Sequence, residues 1–249
     1  MATTIVSVIN QKGGTGKTTT TINLGSALQK LGKRVLLIDL DPQANLSYSL
    51  GITEPESTLA DVFTGKDKLT DCIQESGGLF IAPGSNELVD VEISLVNHGE
   101  RERFLQQMLS EAKGYDYILI DCPPSLSLLT VNALVASHEV LIPLQMEVLT
   151  LQGLGQILNT VQQIKKTLNS TLKVKGIVVV MYDKRRKLSS EIEDYLKENV
   201  DEYIFQQRIR QNVKLAEAPS FGQSVLDYDA SSYGAKDYMG LAKEFVTIP

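Results

Sequence analysis

Short runs of consecutive apolar residues, many of them β-branched, recur along this chain between longer stretches with helical spacing. Such runs are typical of strands that are buried on both faces of a parallel sheet. They predict strands at residues 5–9, 34–39, 117–121, 139–143 and 175–181. The helical spacing predicts helices at residues 17–31 and near 100–113, 126–137, 151–168, 188–199 and 234–246. The alternation predicts an α/β fold, a mostly parallel twisted sheet flanked by helices on both faces.

Polar residues with useful chemistry fall at the ends of these predicted strands. In open α/β sheets, ligands bind at the carboxyl ends of the strands. A glycine-rich segment follows the first predicted strand, and Asp39, Asp41 and Asp121 end or follow two others. We therefore expect the segment and the three carboxylates to share one site.

Composition narrows the classes of protein to which this chain can belong. The 249 residues are 43% hydrophobic and 22% charged, which is ordinary for a globular protein. No linker-like tract or internal repeat divides the chain, so residues 1–249 are expected to form a single domain. A signal-peptide pattern and an apolar run of about 18 residues are both missing, so we expect a cytoplasmic protein. Cys72 and Cys122 are expected to pack as small apolar residues.

Residues 11–18 read Gln-Lys-Gly-Gly-Thr-Gly-Lys-Thr and predict a phosphate-binding loop. The usual loop begins with glycine and ends, four residues later, in Gly-Lys-Ser/Thr. Here the ending is present, but Gln11 stands at the first position and is followed by Lys12. The physical requirements are still met, because glycines let backbone N–H groups surround phosphate oxygens and a helix N-terminus follows.

Two side chains of the loop have expected roles toward ATP and Mg²⁺. Lys17 should reach the β- and γ-phosphates, and the Thr18 hydroxyl should coordinate Mg²⁺. The predicted nucleotide-binding residues of the loop are Lys12, Gly13, Gly14, Thr15, Gly16, Lys17, Thr18 and Thr19.

The pattern Lys-Gly-Gly-x-Gly-Lys-Thr-Thr resembles the deviant phosphate loop of the ParA/MinD family of ATPases. The resemblance implies that Lys12 reaches across a nucleotide-sandwich homodimer to the phosphates of the other subunit. ATP binding and dimerisation would then be coupled, because the added positive charge meets the phosphates only when two subunits pair. Slow ATP hydrolysis, with Lys12, Lys17 and Asp41 as the catalytic residues, is the implied activity.

Two acidic segments resemble the ParA/Soj branch of that family. Residues 39–45, Asp-Leu-Asp-Pro-Gln-Ala-Asn, resemble its first switch, which more often has glycine at the position of Ala44. The resemblance implies that Asp41 orients the attacking water and that Asp39 helps to hold Mg²⁺ through its hydration shell. Residues 121–125, Asp-Cys-Pro-Pro-Ser, resemble the second acidic motif, which places Asp121 on the magnesium side.

Residues 181–183 and 213–222 also resemble this branch. They imply an adenine pocket lined by Pro219, with Met181 and Asp183 nearby. A departure lies just upstream, where the chain has Ile-Arg-Gln-Asn at residues 209–212 and the branch usually has Ile-Pro-Arg-Asn. No helix-turn-helix region precedes the first strand, which is the pattern of the short form of the family. Residues 54–95 match the family least clearly.

DNA binding is the implied property that the overall charge favours least. The net charge is −6, whereas dedicated nucleic-acid binders are usually basic. A local run of four cations at residues 184–187 restores the expectation, since phosphate contacts give salt-sensitive affinity without sequence preference. A solvated turn is the competing interpretation of that run. With cations that the family places on the same side, the predicted DNA-binding residues are Lys184, Arg185, Arg186, Lys187, Arg208, Arg210 and Lys214.

The resulting expectation is a partition ATPase that dimerises on ATP, binds double-stranded DNA nonspecifically on the nucleoid, and is released when a partner stimulates hydrolysis. The resemblance implies a ParB-type protein or a cargo adaptor as that partner. One alternative is a membrane-cycling ATPase similar to MinD, although the C-terminal residues lack a basic amphipathic anchor and no stable membrane association is expected. Another is an iron–sulfur ATPase similar to the nitrogenase iron protein, which would need two well-placed cysteines in each subunit.

Overall fold

The computed structural model describes residues 3–185 and 187–248, without the side chains of residues 148–151 and 187–190. Its strands form one sheet in the order β3-β4-β2-β5-β1-β6-β7, and every neighbouring pair is parallel except β3 with β4. The strands are β1 (Thr4–Val8), β2 (Val35–Asp39), β3 (Gln74–Ser76), β4 (Leu79–Ala82), β5 (Tyr117–Asp121), β6 (Glu139–Gln145) and β7 (Lys173–Val180). The predicted α/β fold class is confirmed.

Helices connect the strands and cover both faces of the sheet. In chain order they are α1 (Lys17–Lys30), α2 (Asn45–Ser49), α3 (Leu59–Phe63), α4 (Leu69–Cys72), α5 (Leu88–Leu95), α6 (Phe104–Leu109), α7 (Leu128–Ala136), α8 (Val148–Thr167), α9 (Lys187–Asn199), α10 (Val213–Glu217), α11 (Val225–Tyr228) and α12 (Tyr233–Thr247). A 3-10 turn, Ala218–Phe221, joins α10 to α11. None of the described helices is long and apolar enough to cross a membrane.

Alternating residues of the central strands pack into two separate hydrophobic cores, one on each face of the sheet. In β2, Leu36 and Ile38 point to the core beneath α7 and α8, whereas Val35 and Leu37 point to the core beneath α1 and α12. This period of two explains why the central strands read as continuous apolar runs, because both of their faces are covered.

Residues 54–95 contain most of the structure that the sequence pattern did not predict. The elements here are short, and β3 and β4 form a hairpin around Gly77 and Gly78, whose φ angles are 58° and 77°. Two consecutive residues at positive φ form the tight turn that suits the twist of paired strands, and glycine adopts them without strain. The Gly-Gly pair could therefore have predicted this hairpin from the sequence. The helix predicted near 100–113 is also wrong in extent, since α6 covers only Phe104–Leu109.

A prediction follows from the core beneath α12. Phe245 is 1% exposed, stacks on Phe205 at 6.2 Å between ring centroids and meets the Tyr117 ring edge at 5.8 Å. Replacing Phe245 with alanine should lower the free energy of unfolding by about 3–5 kcal/mol, because apolar burial is reduced and a cavity is left behind. Urea unfolding measures this, with Val246→Ala on the exposed face of α12 as the matched control. Equal stability of the two variants would contradict the packing described.

Candidate nucleotide-binding site

The phosphate loop lies between the end of β1 and the start of α1, at the carboxyl edge of the sheet. Gly14 and Gly16 have φ angles of 75° and 76°, a region that side chains other than glycine rarely adopt. Gly13 and Gly14 have open space where a side chain would begin. The loop can therefore admit phosphate oxygens against its backbone N–H groups.

Asn10 fixes the beginning of this loop, a role that the sequence analysis missed. Its side chain is buried, donates to the Pro143 carbonyl at 2.7 Å and accepts from the Lys12 backbone N–H at 3.0 Å. A buried amide with both ends satisfied holds the backbone in one arrangement. A polar residue directly after a buried strand was the available signal.

Lys17 supplies the positive charge inside the loop. It is mostly buried, and its ammonium lies 3.4 Å from the Lys12 carbonyl. Burial lowers its pKa, and the nearby Asp121 and Asp41 carboxylates act in the opposite direction. Its position agrees with the predicted contact to the terminal phosphates.

Lys12 points away from the loop to which it belongs. Its ammonium contacts the Glu147 carboxylate at 2.6 Å, and its side chain is 44% exposed. The sequence analysis did not single out Glu147. The two lysines of the loop thus occupy different places, with Lys17 inside and Lys12 at the surface.

Asp39 and Asp121 end neighbouring strands and lie side by side in register. The Thr18 hydroxyl donates to Asp121 Oδ2 at 2.6 Å, so the three predicted magnesium-side residues come together. Burial raises the pKa of Asp39 to about 6, and burial together with the Asp39 charge raises the pKa of Asp121 well above its ordinary value. Two buried carboxylates side by side need a positive charge to remain ionised.

The residues present fit a hydrated Mg²⁺ ion. Asp39 Oδ1 is buried and has no hydrogen-bond partner among the described residues, which leaves one oxygen available to a metal-bound water. The described part of the chain has no cluster of three His, Cys, Asp or Glu ligands. Mg²⁺ does not require one, because it commonly retains several waters and takes phosphate oxygens as ligands. Thr18 would hold the ion, with Asp39 and Asp121 acting through its hydration shell.

Ser47 holds the Asp39 side chain in place. Its backbone N–H and hydroxyl both donate to Asp39 Oδ2, at 2.8 and 2.6 Å, and its hydroxyl accepts from the Gly84 N–H at 3.1 Å. A Cβ at Gly84 would stand 2.5 Å from the Asp39 carbonyl oxygen, so only glycine fits there. The sequence analysis missed both Ser47 and Gly84, since they lie far apart along the chain.

Asp41 lies in the turn between β2 and α2. It is buried, and its carboxylate accepts from the Gln43 N–H at 3.0 Å. Ala44 follows with φ 49° and ψ 33°, the left-handed conformation that glycine adopts more easily. This geometry gives a physical reason for the glycine that the family more often has at this position.

A cavity of about 440 Å³ beside the loop is the candidate adenine pocket. It is lined by Gly16, Thr19, Val180 and Met181, by residues 209–213, 215 and 216, and by Tyr238. Of the predicted adenine residues, only Met181 lines it. Asp183 lies in a neighbouring recess, and Pro219 lies in the 3-10 turn without lining this cavity. The contacts of Asp183 and Pro219 with the adenine stay predictions.

Three of the predicted DNA-binding cations, Lys184, Arg185 and Arg210, line one recess in the described part of the chain. Lys184 and Arg185 are exposed after β7, and Arg185 pairs with Asp183 at 2.9 Å. Lys214 pairs with Glu217 at 2.8 Å. Arg186 lies outside the described residues, and the side chain of Lys187 is not described.

Arg208 and Arg210 already take part in ion pairs within the chain, and their contact with DNA stays a prediction. The Arg208 side chain is 15% exposed and contacts Glu193 at 2.5 Å. Arg210 makes a two-pronged contact with the buried Asp237, at 2.9 and 2.6 Å, and lies over the Tyr233 ring. These arginines hold the C-terminal part of the chain together, and Arg210 also lines the cavity wall.

The two cysteines lack the exposure that a shared cluster between subunits would need. Both are buried, and burial raises the pKa of Cys72 to about 12 and that of Cys122 still further. This placement agrees with the expectation that both cysteines pack in the core, and burial of both side chains does not favour the iron–sulfur alternative.

The fold and this site define a P-loop nucleoside triphosphatase with an altered phosphate loop. A family model described as an AAA domain matches residues 3–174. The chromosome partitioning protein ParA of Caulobacter vibrioides is 42% identical, over 98% of this chain and 94% of that protein. The sporulation initiation inhibitor protein Soj of Bacillus subtilis is 43% identical, over 96% and 97%. This chain therefore belongs to the ParA/Soj family of partitioning ATPases.

Solved structures agree with this assignment. The cobyrinic acid a,c-diamide synthase of Mycobacterium smegmatis, with bound ATP analogue and magnesium, has a TM-score of 0.86 at 32% identity and covers 97% of this chain and 93% of its own. The cell division ATPase MinD of Pyrococcus furiosus has a TM-score of 0.84 at 28% identity and covers both chains fully, at 100%. Membership of the family makes this chain an ATPase, and ATP with Mg²⁺ is the cofactor pair that its site fits.

Burial of the Asp39 carboxylate predicts that replacing it with an uncharged amide raises the stability of the protein. The pKa of the Asp39 carboxyl is raised from 3.8 to about 6 in the folded protein. The contribution of this carboxyl to the free energy of unfolding is therefore fully present below about pH 4 and is lost as the pH rises past about 6, where the buried group becomes charged. Asp39→Asn should therefore stabilise the nucleotide-free, magnesium-free protein near pH 8, by up to about 3 kcal/mol, and have little effect near pH 4.

Urea unfolding in the presence of a chelator, at both pH values, measures this difference. Asp194→Asn is the matched control, because the Asp194 side chain is 73% exposed. A lower stability of Asp39→Asn near pH 8 would show that the carboxylate is stabilised by contacts other than those described.

Proposed function

We propose that this protein is a DNA-based partition switch. It binds ATP with Mg²⁺, forms a nucleotide-sandwich homodimer, coats double-stranded DNA without sequence preference, and leaves the DNA when a partner stimulates hydrolysis. The names of its relatives support partitioning, and the steps of this cycle are the proposal.

One observation carries the proposal, namely that Lys12 is turned outward. The Lys12 ammonium rests on Glu147 at the surface, while Lys17 occupies the interior of the same loop. Lys12 is therefore not needed by the phosphates of its own subunit. In a face-to-face dimer it can exchange Glu147 for the phosphates of the other subunit, where charge-assisted contacts are strong. Dimerisation then depends on ATP, because without a triphosphate there is no anion to receive this lysine.

The site assigns separate tasks to its charged groups during hydrolysis. Lys17 and the loop N–H groups hold the phosphates, and Asp41 orients the water that attacks the terminal phosphorus. Bound Mg²⁺ would neutralise charge on the phosphate oxygens. Asp39, fixed by Ser47, and Asp121, bonded to Thr18, keep the magnesium side in position. Turnover is slow in this proposal, because the partner sets the time of hydrolysis.

The DNA contact is proposed for the exposed cations after β7, with Lys184 and Arg185 as its described members, and for Lys214 as a further cation. The Arg185 guanidinium is 84% exposed, and its pairing with Asp183 at the surface costs little to exchange for a phosphate. Two copies in a dimer double the number of phosphate contacts, so that ATP-dependent pairing and DNA affinity rise together. Nucleoid association follows from this property.

A ParB-type protein or a cargo adaptor is the proposed partner. The membrane-cycling alternative rests on similarity to MinD, whose identity to this chain is lower than that of the partition relatives. We therefore propose that the protein cycles on and off DNA, and not on and off a membrane surface.

Lys12→Ala should abolish ATP-dependent dimerisation while leaving nucleotide binding nearly unchanged, because Lys17 and the loop backbone still hold the phosphates. Light scattering after size-exclusion chromatography, with a non-hydrolysable ATP analogue, measures the dimer, and a fluorescent nucleotide measures binding. Lys17→Ala is the matched control, since it should lose nucleotide binding itself. A Lys12→Ala variant that still dimerises would show that this lysine has a different role.

Arg185→Glu should weaken ATP-dependent DNA binding and reduce the slope of log affinity against log salt by about 1 for each phosphate contact that the substitution removes. Nucleotide binding and dimerisation should remain. Lys166→Glu is the matched control, because Lys166 is exposed at the end of α8, toward the opposite edge of the sheet. Equal DNA affinity of Arg185→Glu and the wild type at all salt concentrations would place the DNA surface elsewhere.

A further inference from the structure

Arg210 lies between the candidate adenine cavity and the neighbouring recess, and it lines both of them. The segment that contains it is bonded to β7, because the Ile209 N–H donates to the Val179 carbonyl and the Tyr182 N–H donates to the Ile209 carbonyl, both at 2.9 Å. The Gln211 N–H reaches the Tyr182 carbonyl at 3.3 Å, and from there the chain continues into α10. The sheet thus supports the beginning of the cavity wall.

Asp237 of α12 holds the same part of the wall from a second element. Its carboxylate accepts from the Arg210 backbone N–H at 3.0 Å, from Arg210 Nε at 2.9 Å and from Arg210 Nη2 at 2.6 Å. Asp237 is 3% exposed and also accepts from Gln207 Nε2 at 3.4 Å. A two-pronged contact between arginine and a carboxylate fixes direction as well as distance. Asp237 therefore holds both the backbone and the side chain of Arg210.

The sequence gives a reason for such a contact at this place. This chain has Arg210 where the ParA/Soj branch usually has proline, in the segment Ile-Arg-Gln-Asn. Proline fixes φ by its ring and has no backbone N–H. Arginine leaves φ free and adds an N–H that needs an acceptor. Asp237 supplies that acceptor, and its contact with the guanidinium restrains the residue that has no ring to restrain it.

Helix α12 connects this contact to other parts of the nucleotide site. Tyr238, the residue after Asp237, is 1% exposed, lines the cavity and shares a hydrogen bond of 3.1 Å with Thr20 of α1. At the start of α12, the Tyr233 ring lies 4.1 Å from the centre of the Arg210 guanidinium. One helix thus contacts both the cavity wall at Arg210 and the helix that follows the phosphate loop.

We propose that Asp237 is a positioning residue for the nucleotide base, and that it acts by holding Arg210 as a fixed wall of the candidate adenine cavity. A wall that is fixed before the base enters does not have to be ordered on binding, so less conformational entropy is lost and ATP binds more tightly. The inference goes beyond the partition switch, because it concerns base binding within one subunit and requires neither DNA nor a second copy.

Two ligands separate the base from the phosphates. Isothermal titration calorimetry with Mg²⁺ measures the affinity for ATP and for tripolyphosphate, which has the phosphates but no base. Asp237→Asn should weaken ATP affinity by about tenfold, because an amide does not form the charge-assisted pair with the guanidinium. Tripolyphosphate affinity should stay within about twofold of the wild type, since its contacts are with the phosphate loop. Turnover at saturating ATP should stay near the wild-type value, so the loss lies in KM and not in kcat.

Arg210→Lys and Lys236→Ala are the matched controls. Lysine keeps the charge but lacks the planar fork of arginine, so the ATP affinity of Arg210→Lys should lie between those of the wild type and Asp237→Asn. Lys236 is exposed and contacts the same Tyr233 ring at 5.9 Å, but it does not line the cavity. Lys236→Ala should therefore bind both ligands as the wild type does.

A double variant separates positioning from folding. Removing one member of a pair that has a buried carboxylate destabilises a protein, whereas replacing both members leaves no uncompensated charge. Arg210→Met combined with Asp237→Asn should therefore unfold at a higher temperature than Arg210→Met alone, while its ATP affinity stays as low as that of Asp237→Asn. Thermal unfolding without nucleotide and titration with ATP measure these two properties.

Three results would overturn the inference. These are wild-type ATP affinity in Asp237→Asn, a parallel fall of ATP and tripolyphosphate affinity, and recovery of ATP affinity together with stability in the double variant. The second and third results would mean that the pair supports the fold alone. Dimerisation and DNA binding of the wild type test the partition switch separately, so either proposal can fail without the other.

Discussion

The structure depends on two buried carboxylates, Asp39 and Asp121, held side by side where β2 and β5 end. Burial raises the pKa of both groups, so each is poorly compensated by the protein alone. Lys17 lies close enough to attract them, but burial also lowers its own pKa. A ligand that brings a divalent cation relieves this repulsion, which is a physical reason for the site to tighten when the nucleotide and Mg²⁺ bind together.

The surroundings of this pair are built to keep it in place. Ser47 uses two donors on one Asp39 oxygen, Gly84 approaches too closely for any side chain, and Thr18 bonds Asp121. Each of these contacts comes from a different connection at the carboxyl edge of the sheet. A movement of any one connection therefore reaches the carboxylates, which makes the site suited to switching as well as to binding.

The cations of the chain differ in their exposure and in the burial of the carboxylates that they contact. Arg208 is 15% exposed in its pair with Glu193, and Arg210, although 45% exposed, contacts the buried Asp237, whereas Lys12 and Arg185 pair at the surface. Surface pairs exchange partners at little cost, and pairs with a buried member do not. Burial of the Arg208 side chain and of Asp237 thus marks two ion pairs that stabilise the chain, a property that charge along the sequence does not show.

The sequence by itself determined the central strands and the phosphate loop, because these depend on local signals. Continuous apolar runs identify strands covered on both faces, and glycine spacing identifies a backbone that must bend around phosphate. The family resemblance then supplied Lys12 and the acidic motifs. The short elements between residues 54 and 95 carry weak local patterns, and apart from the Gly77-Gly78 turn only packing defines them.

Tertiary structure alone decided which distant residues serve the site. Ser47 reaches Asp39, Asn10 reaches Pro143, Lys12 reaches Glu147, and Asp237 reaches Arg210. It also decided that residues 209–213, 215 and 216, and not Pro219, line the candidate adenine cavity. The physical reason is that hydrogen bonds and ion pairs depend on distance in space, and the order of the strands in the sheet, which differs from their order in the chain, sets those distances.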